Sequence, residues 1–140
     1  MNKAIFPGSF DPFHSGHLNI LQKAQKLFDY IYIIVTFNPD KDNNKDFEQK
    51  VQNVKEMTKE LKNIEILVNQ KELTGVLAKR LGVNFLIRSA RDNIDFNYEL
   101  ELALGNKIVN SELETIIFFP DESTKTISST LERHKRILGK

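Results

Sequence analysis

The run Phe6-Pro7-Gly8-Ser9-Phe10-Asp11-Pro12-Phe13-His14-Ser15-Gly16-His17 constrains this chain more than any other stretch, because turn residues, a hydroxyl and two histidines stand between an apolar strand and an amphipathic helix. Upstream, Lys3-Ala4-Ile5-Phe6 reads as a short buried strand. Downstream, Leu18, Ile20, Leu21, Ala24, Leu27 and Phe28 recur at helical spacing. A loop in that place lies where a parallel strand hands over to a helix, and there backbone N–H groups and the helix dipole favour an anion. Gly8 and Gly16 remove side chains where a phosphate approaches the backbone. His14 and His17, three apart, can share a face of the first helical turn. Taken alone, a His pair at this spacing also fits incidental placement or half of a metal site; the whole run predicts a phosphate site.

The rest of the chain alternates strand and helix. Tyr30 to Thr36 is a β-branched and aromatic run, read as a second strand, and Asn38 to Asp46 is a polar loop containing Pro39. Phe47 to Leu61 carries Val51, Val54, Met57 and Leu61 at helical intervals, and Ile64 to Val68 is a third strand. Leu73 to Leu81 reads as a helix closed by Gly82, Asn84 to Arg88 as a fourth strand, Phe96 to Val109 as a longer helix and Thr115 to Phe119 as a fifth strand. Ser128 or Ser129 opens a last helix toward Leu138. This pattern predicts an α/β fold: one domain over residues 1–140, a Rossmann-like doubly wound sheet of five parallel strands with helices on both faces. Tyr98, Leu102, Leu104 and Ile108 are read as core in preference to a self-association face.

Composition narrows the function classes. With 20 basic and 19 acidic residues the net charge is +1, so no global field favours nucleic acid or an anionic membrane. The absence of cysteine excludes disulfides, a thiolate nucleophile and Cys-based zinc sites. No apolar leader and no stretch of about 18 apolar residues is present, and a cytoplasmic location is expected.

Ligands of such sheets bind beyond the C-terminal strand ends, where strand order reverses. That rule gathers distant residues: Ser9 after strand one, Lys41 after strand two, Arg88 and Arg91 around the end of strand four, and Thr124-Lys125-Thr126-Ile127-Ser128-Ser129-Thr130 after strand five. Two guanidiniums beside a turn suit an anion. Hydroxyls at a helix start serve as an N-cap, a phosphate cradle, or both.

The ordered set of Pro-Gly-Ser-Phe-Asp-Pro, Ser15-Gly16-His17, Lys41, Ile87-Arg88 with Arg91, Asp95-Phe96-Asn97-Tyr98-Glu99 and Ile127-Ser128-Ser129 resembles the (H/T)xGH nucleotidyltransferases, and among them bacterial phosphopantetheine adenylyltransferase, over nearly the whole chain. The resemblance implies a nucleotidyltransferase-type fold and transfer of AMP from ATP to 4′-phosphopantetheine with Mg²⁺, giving dephospho-CoA and pyrophosphate in the penultimate step of coenzyme A synthesis. It also implies a homohexamer. It assigns catalysis to His17, Lys41 and Arg88, and acceptor binding to Ser9, Lys41, Thr74 and Arg88. To ATP it assigns Ser9, Phe10, His17, Ser89, Ala90, Arg91, Glu99, Thr124, Lys125, Thr126, Ile127, Ser128, Ser129 and Thr130. A phosphate monoester is already an anionic nucleophile, which accounts for the lack of an obvious acid–base pair.

Three departures from the family pattern bear on the acceptor: His14 where Thr is common, Ser89-Ala90 where Gly-Leu is usual, and a chain that stops at Lys140 where typical relatives continue. Alternatives are a nicotinate or nicotinamide mononucleotide adenylyltransferase, which shares the first and last motifs, and a glycerol-3-phosphate cytidylyltransferase, whose Arg-rich stretch before Ile-Ser-Ser is lacking here. A non-catalytic nucleotide-binding module is the alternative outside the enzyme class.

Overall fold

A computed structural model of the chain describes residues 1–121 and 134–139. The elements run β1 (Lys3–Gly8), α1 (Ser15–Ala24), β2 (Tyr30–Thr36), α2 (Asn44–Met57), β3 (Ile64–Asn69), α3 (Thr74–Leu81), β4 (Phe85–Ser89), α4 (Asn93–Val109) and β5 (Glu114–Phe118). The five strands form one sheet of order β3-β2-β1-β4-β5, and every pairing is parallel. Residues 134–137 are helical; the expected start of that helix at Ser128 or Ser129 lies outside the described residues.

Strand periodicity sorts the apolar residues into two layers. Ala4 and Phe6 of β1, Ile31, Ile33 and Val35 of β2 and Ile87 of β4 face Ile20, Leu21 and Ala24 of α1 and Val54 of α2. The alternate residues Ile5, Ile34 and Leu86 face Leu77 and Ala78 of α3, together with Val83 and Leu113. Each fully buried Ile or Leu contributes about 1.5–3 kcal/mol relative to exposure. A sheet covered on both faces holds its C-terminal strand ends still, which is what a site assembled there requires.

Helix starts differ from the periodicity by a few residues, for a common reason. Asn43 caps α2 by accepting from the Asp46 N–H at 2.9 Å, and Asp92 caps α4 by accepting from the Asp95 N–H at 2.8 Å. The first turn of α2 is polar, and that of α4 holds one apolar residue, the exposed Ile94, so neither carries a buried apolar signal. At the other end, α1 stops at Ala24 although Phe28 stays buried, because the chain tightens into Lys26-to-Lys23 and Leu27-to-Ala24 bonds. Similarly α2 ends at Met57 before a turn in which Leu61 donates to Thr58. Gly82 closes α3 at φ 70, as the sequence predicts.

The expectation that Tyr98, Leu104 and Ile108 are core is overturned: they are 60%, 59% and 88% exposed, and Leu102 is half-buried. Helix α4 meets β4 and α3 along a narrow line, so much of its apolar surface faces outward.

At the α3–α4 contact, Asn110 donates to the Gly75 carbonyl at 3.0 Å, and a Cβ at Gly75 would stand 2.9 Å from Val109 Cγ1 and 3.2 Å from Asn110 Cβ. Gly75→Ala is therefore expected to destabilise the fold by about 1–3 kcal/mol through overpacking. Urea unfolding showing an unchanged or raised midpoint would contradict this close approach.

Candidate active site

The site begins with a proline in a central strand. Strand β1 pairs with β2 over six positions, Lys3 to Gly8, but with β4 only at Ile5↔Leu86. Pro7 has no N–H to donate to a neighbour, and beyond it β1 and β4 stop sharing backbone bonds. Its carbonyl accepts instead from Arg88 Nη1 at 3.1 Å. The parting of β1 and β4 coincides with the reversal of strand order, so the crevice opens at the switch point.

The loop that follows is shaped by aromatic packing. Phe10 adopts φ 47, a left-handed conformation costly for a side chain of its size. Its ring is nonetheless buried, edge-on to Phe6 at 5.5 Å and edge-on to His17 at 5.1 Å. Phe13 stacks on His17 at 5.2 Å, and the Phe13 N–H donates to Asn53 of α2 at 2.9 Å. With its ring committed to the core, Phe10 has only backbone left to offer a ligand.

His14 and His17 form a reciprocal cap on α1. His14 Nδ1 accepts from the Gly16 N–H at 3.0 Å, and His17 Nδ1 accepts from the His14 N–H at 3.1 Å. This bond fixes the tautomer of neutral His17, leaving the proton on Nε2, the ring's free donor. Burial, reinforced by the neighbouring His14, lowers the His17 pKa from 6.5 to about 4. His17 is thus a neutral hydrogen-bond donor at physiological pH.

Two adjoining cavities meet at this loop. The first, about 200 Å³, is lined by Ser9, Phe10, His17, Arg88, Ser89 and Glu99 together with Phe6, Pro7 and Gly8. The second, about 290 Å³, shares Pro7, Gly8, Ser9 and Arg88 and continues to Thr36, Thr74, Leu86, Tyr98, Leu102 and Asn106. Ser9 and Arg88 therefore stand at their junction. Arg88 is held there on two sides, by Pro7 and by Glu99, whose Oε1 and Oε2 accept from Arg88 Nε and Nη2 at 2.7 and 2.9 Å.

Tyr98, Leu102 and Asn106 form a one-per-turn stripe along α4, and sequence reasoning did not single out Asn106. Asn106 is buried, and its Nδ2 has no hydrogen-bond partner among the described residues. A buried amide donor without a partner is costly, and this one belongs to a residue that lines the second cavity. The legible signal was the i, i+4, i+8 spacing of an aromatic, an apolar and an amide residue.

Other residues expected at the site lie apart from this junction. Lys41 lines a separate recess of about 410 Å³ between the Asp11-Pro12 turn and α2, with Asp42, Asp46, Gln49, Lys50 and Asn53. Its loop is fixed by buried Asp42, which accepts from the Asn38 N–H at 3.0 Å and pairs with Lys50 at 3.2 Å. The Asn38 bond leads in holding the Asp42 carboxyl below its ordinary range. Ala90 is buried and lines neither cavity at the junction, and Arg91 is an exposed residue paired with Asp95 at 3.0 Å. Thr124, Lys125, Thr126, Ile127, Ser128, Ser129 and Thr130 lie outside the described residues. Ser15, Gly16 and Asn19 of α1 face Pro120 and Asp121 across a recess of about 320 Å³ at the end of β5.

Residues 5–135 match the model of the cytidylyltransferase-like family. The phosphopantetheine adenylyltransferase of Mycoplasma capricolum subsp. capricolum is 42% identical over 95% of both chains. That of Lacticaseibacillus casei is 35% identical over 97% of this chain and 81% of its own. Among solved structures, a bifunctional NMN adenylyltransferase/ADP ribose pyrophosphatase from Francisella tularensis aligns with TM-score 0.57 and 19% identity, over 99% of this chain and 43% of its own. At that identity the likeness is one of fold.

Proposed function

The chain belongs to the phosphopantetheine adenylyltransferases of the cytidylyltransferase-like family, and from that membership we propose that it transfers AMP from ATP to 4′-phosphopantetheine. The observation that supports this most directly is the pair of cavities joined at Ser9 and Arg88, one beside His17 and the other reaching Asn106, whose amide donor has no partner among the described residues. In this reading the α-phosphate of ATP lies in the first cavity. The acceptor's phosphate lies at the junction, and its amide-bearing arm runs along Thr74, Tyr98 and Leu102 toward Asn106, where an acceptor carbonyl takes the hydrogen bond.

The reaction is an in-line displacement. An oxygen of the acceptor phosphate bonds to the α-phosphorus as the bond to the bridging oxygen of pyrophosphate breaks, and no proton has to move. Positioning and charge neutralisation supply the rate. His17 donates from Nε2 to the α-phosphate, and Arg88 holds the acceptor phosphate against its own charge. Ser9 hydrogen-bonds at the junction, while Phe10 and Ser89 border the nucleotide. Lys41 joins the phosphates only by leaving its recess, a step that its four-carbon arm and solvated loop permit.

Mg²⁺ enters this reading with the triphosphate. Among the described residues no three His or acidic groups converge as a metal cage, and Mg²⁺ commonly binds through substrate phosphates. Ala90, Arg91, Glu99 and the stretch from Thr124 to Thr130 remain the family's nucleotide-side residues. Self-association into the hexamer that the family implies would cover some of the exposed Ile94, Leu104 and Ile108 side chains of α4. No helix among the described residues is long and apolar enough to cross a membrane.

Pyrophosphate release from ATP and Mg²⁺ is expected with 4′-phosphopantetheine, and not with nicotinate mononucleotide or, from CTP, with glycerol 3-phosphate. Turnover with another acceptor alone would move the pathway while keeping the mechanism. Asn106→Leu is expected to raise the KM for phosphopantetheine about tenfold and leave that for ATP unchanged. An unchanged acceptor KM would remove Asn106 from the acceptor's path.

A further inference from the structure

We infer that Glu99 is a positioning residue for Arg88. The inference rests on the proposed function, because it concerns how Arg88 meets the acceptor phosphate. Glu99 is 5% exposed, and both its oxygens are turned onto one edge of the Arg88 guanidinium, at 2.7 and 2.9 Å. Arg88 Nη1 is committed to the Pro7 carbonyl at 3.1 Å. Arginine has five N–H donors. Three are thereby used, and the two left over are the ones a phosphate can take.

The charge argues in the same direction. A carboxylate in the wall of a cavity for a triphosphate repels its ligand if it faces it directly. Spent on Arg88, the same charge fixes a planar donor in two directions and costs the anion little, since Arg88 is the more exposed partner of the pair. Arg88 lines both cavities, so a tilt of its plane shifts the acceptor phosphate relative to the α-phosphorus. A displacement of about 1 Å at such a point can cost on the order of a hundredfold in rate. Helix α4 thus reaches into the chemistry twice: through Asn106 along the acceptor's arm and through Glu99 behind the arginine.

The test uses the full chain and compares wild type, Glu99→Gln, Arg88→Lys and the double variant by initial rates over both substrates. Glutamine keeps the shape of Glu99 but replaces one acceptor oxygen by a donor, so the fork cannot form. The expected result for Glu99→Gln is a kcat lowered about tenfold, with both KM values within about threefold of wild type. In the Arg88→Lys background, where no planar fork exists, adding Glu99→Gln should leave kcat within about twofold. A raised KM for ATP with normal kcat would overturn the inference in favour of direct nucleotide contact. Equal slowing in both backgrounds would overturn it as well, because the two residues would then act independently. Should Glu99→Gln fail to fold, Glu99→Asp, which keeps the charge and withdraws the carboxylate by one methylene, is read by the same criteria. A wild-type enzyme inactive toward phosphopantetheine overturns the proposed function, and this inference with it; an active wild type with uncoupled residues overturns this inference alone.

Discussion

His17→Ala is expected to lower kcat by about 10²–10³ while leaving the KM of each substrate within about threefold, the loss typical of one preorganised donor to a developing oxyanion. The expectation follows from how the ring is held. Its Nδ1 accepts from the His14 N–H, Phe13 stacks on the ring, Phe10 meets it edge-on, and the residue lines the cavity shared with Ser9 and Arg88. Such a donor is aimed before substrate arrives and is worth most when charge builds on the α-phosphate. A variant with normal kcat and a raised KM would show instead that His17 holds the ground state.

The same burial fixes a pH signature. With the folded pKa near 4 and the unfolded one near 6.5, the unfolded chain binds more protons between those values. The His17 contribution to stability is therefore complete above about pH 6.5 and is lost as pH falls toward about 4. An NMR titration of the His17 ring in the free protein should show a midpoint near 4; a midpoint near 6.5 would mean the ring is solvated and the site open. Because His14 adds to the lowering, His14→Thr should move that midpoint upward while still capping α1 through its hydroxyl.

What the sequence made legible and what it hid divide along physical lines. Alternation of apolar runs revealed the five parallel strands, because burial on both faces leaves a continuous signal in β1, β2 and β4. The loop from Gly8 to His17 stood out as a candidate site because turn residues and histidines have few other reasons to sit between such a strand and helix. Helix starts at Asn44 and Asn93 were hidden because the first turn of α2 is polar and that of α4 holds only the exposed Ile94 as an apolar residue. The apolar residues of α4 misled, since periodicity reports a face and not what covers it: Leu104 and Ile108 are exposed, while Glu99 and Asn106 on the same helix are buried. A buried Glu looks in sequence like any solvated one. Only the neighbouring strand end, with Arg88 eleven positions earlier, accounts for it. Lys41 carries the same ambiguity in reverse, a charged loop residue whose recess is set by the Asp42–Lys50 pair.

Arg88→Met is expected to be among the most destabilising single changes at the site, by about 3–5 kcal/mol, because it strands the Glu99 carboxylate, 5% exposed, without its cation. For a chain of 140 residues that corresponds to a fall in Tm of roughly 10 °C or more, measurable by calorimetry. The double variant Arg88→Met/Glu99→Gln removes both charges and should recover most of the loss, since a buried ion pair often adds little over neutral groups of similar size. Activity should not recover with it: no guanidinium remains to meet the acceptor phosphate. A stable single variant would mean that water reaches Glu99 and that the pair is not buried in solution. Recovery of stability without recovery of turnover would separate the two roles, the fold tolerating neutral residues at these positions while the reaction requires the arginine and the carboxylate that aims it.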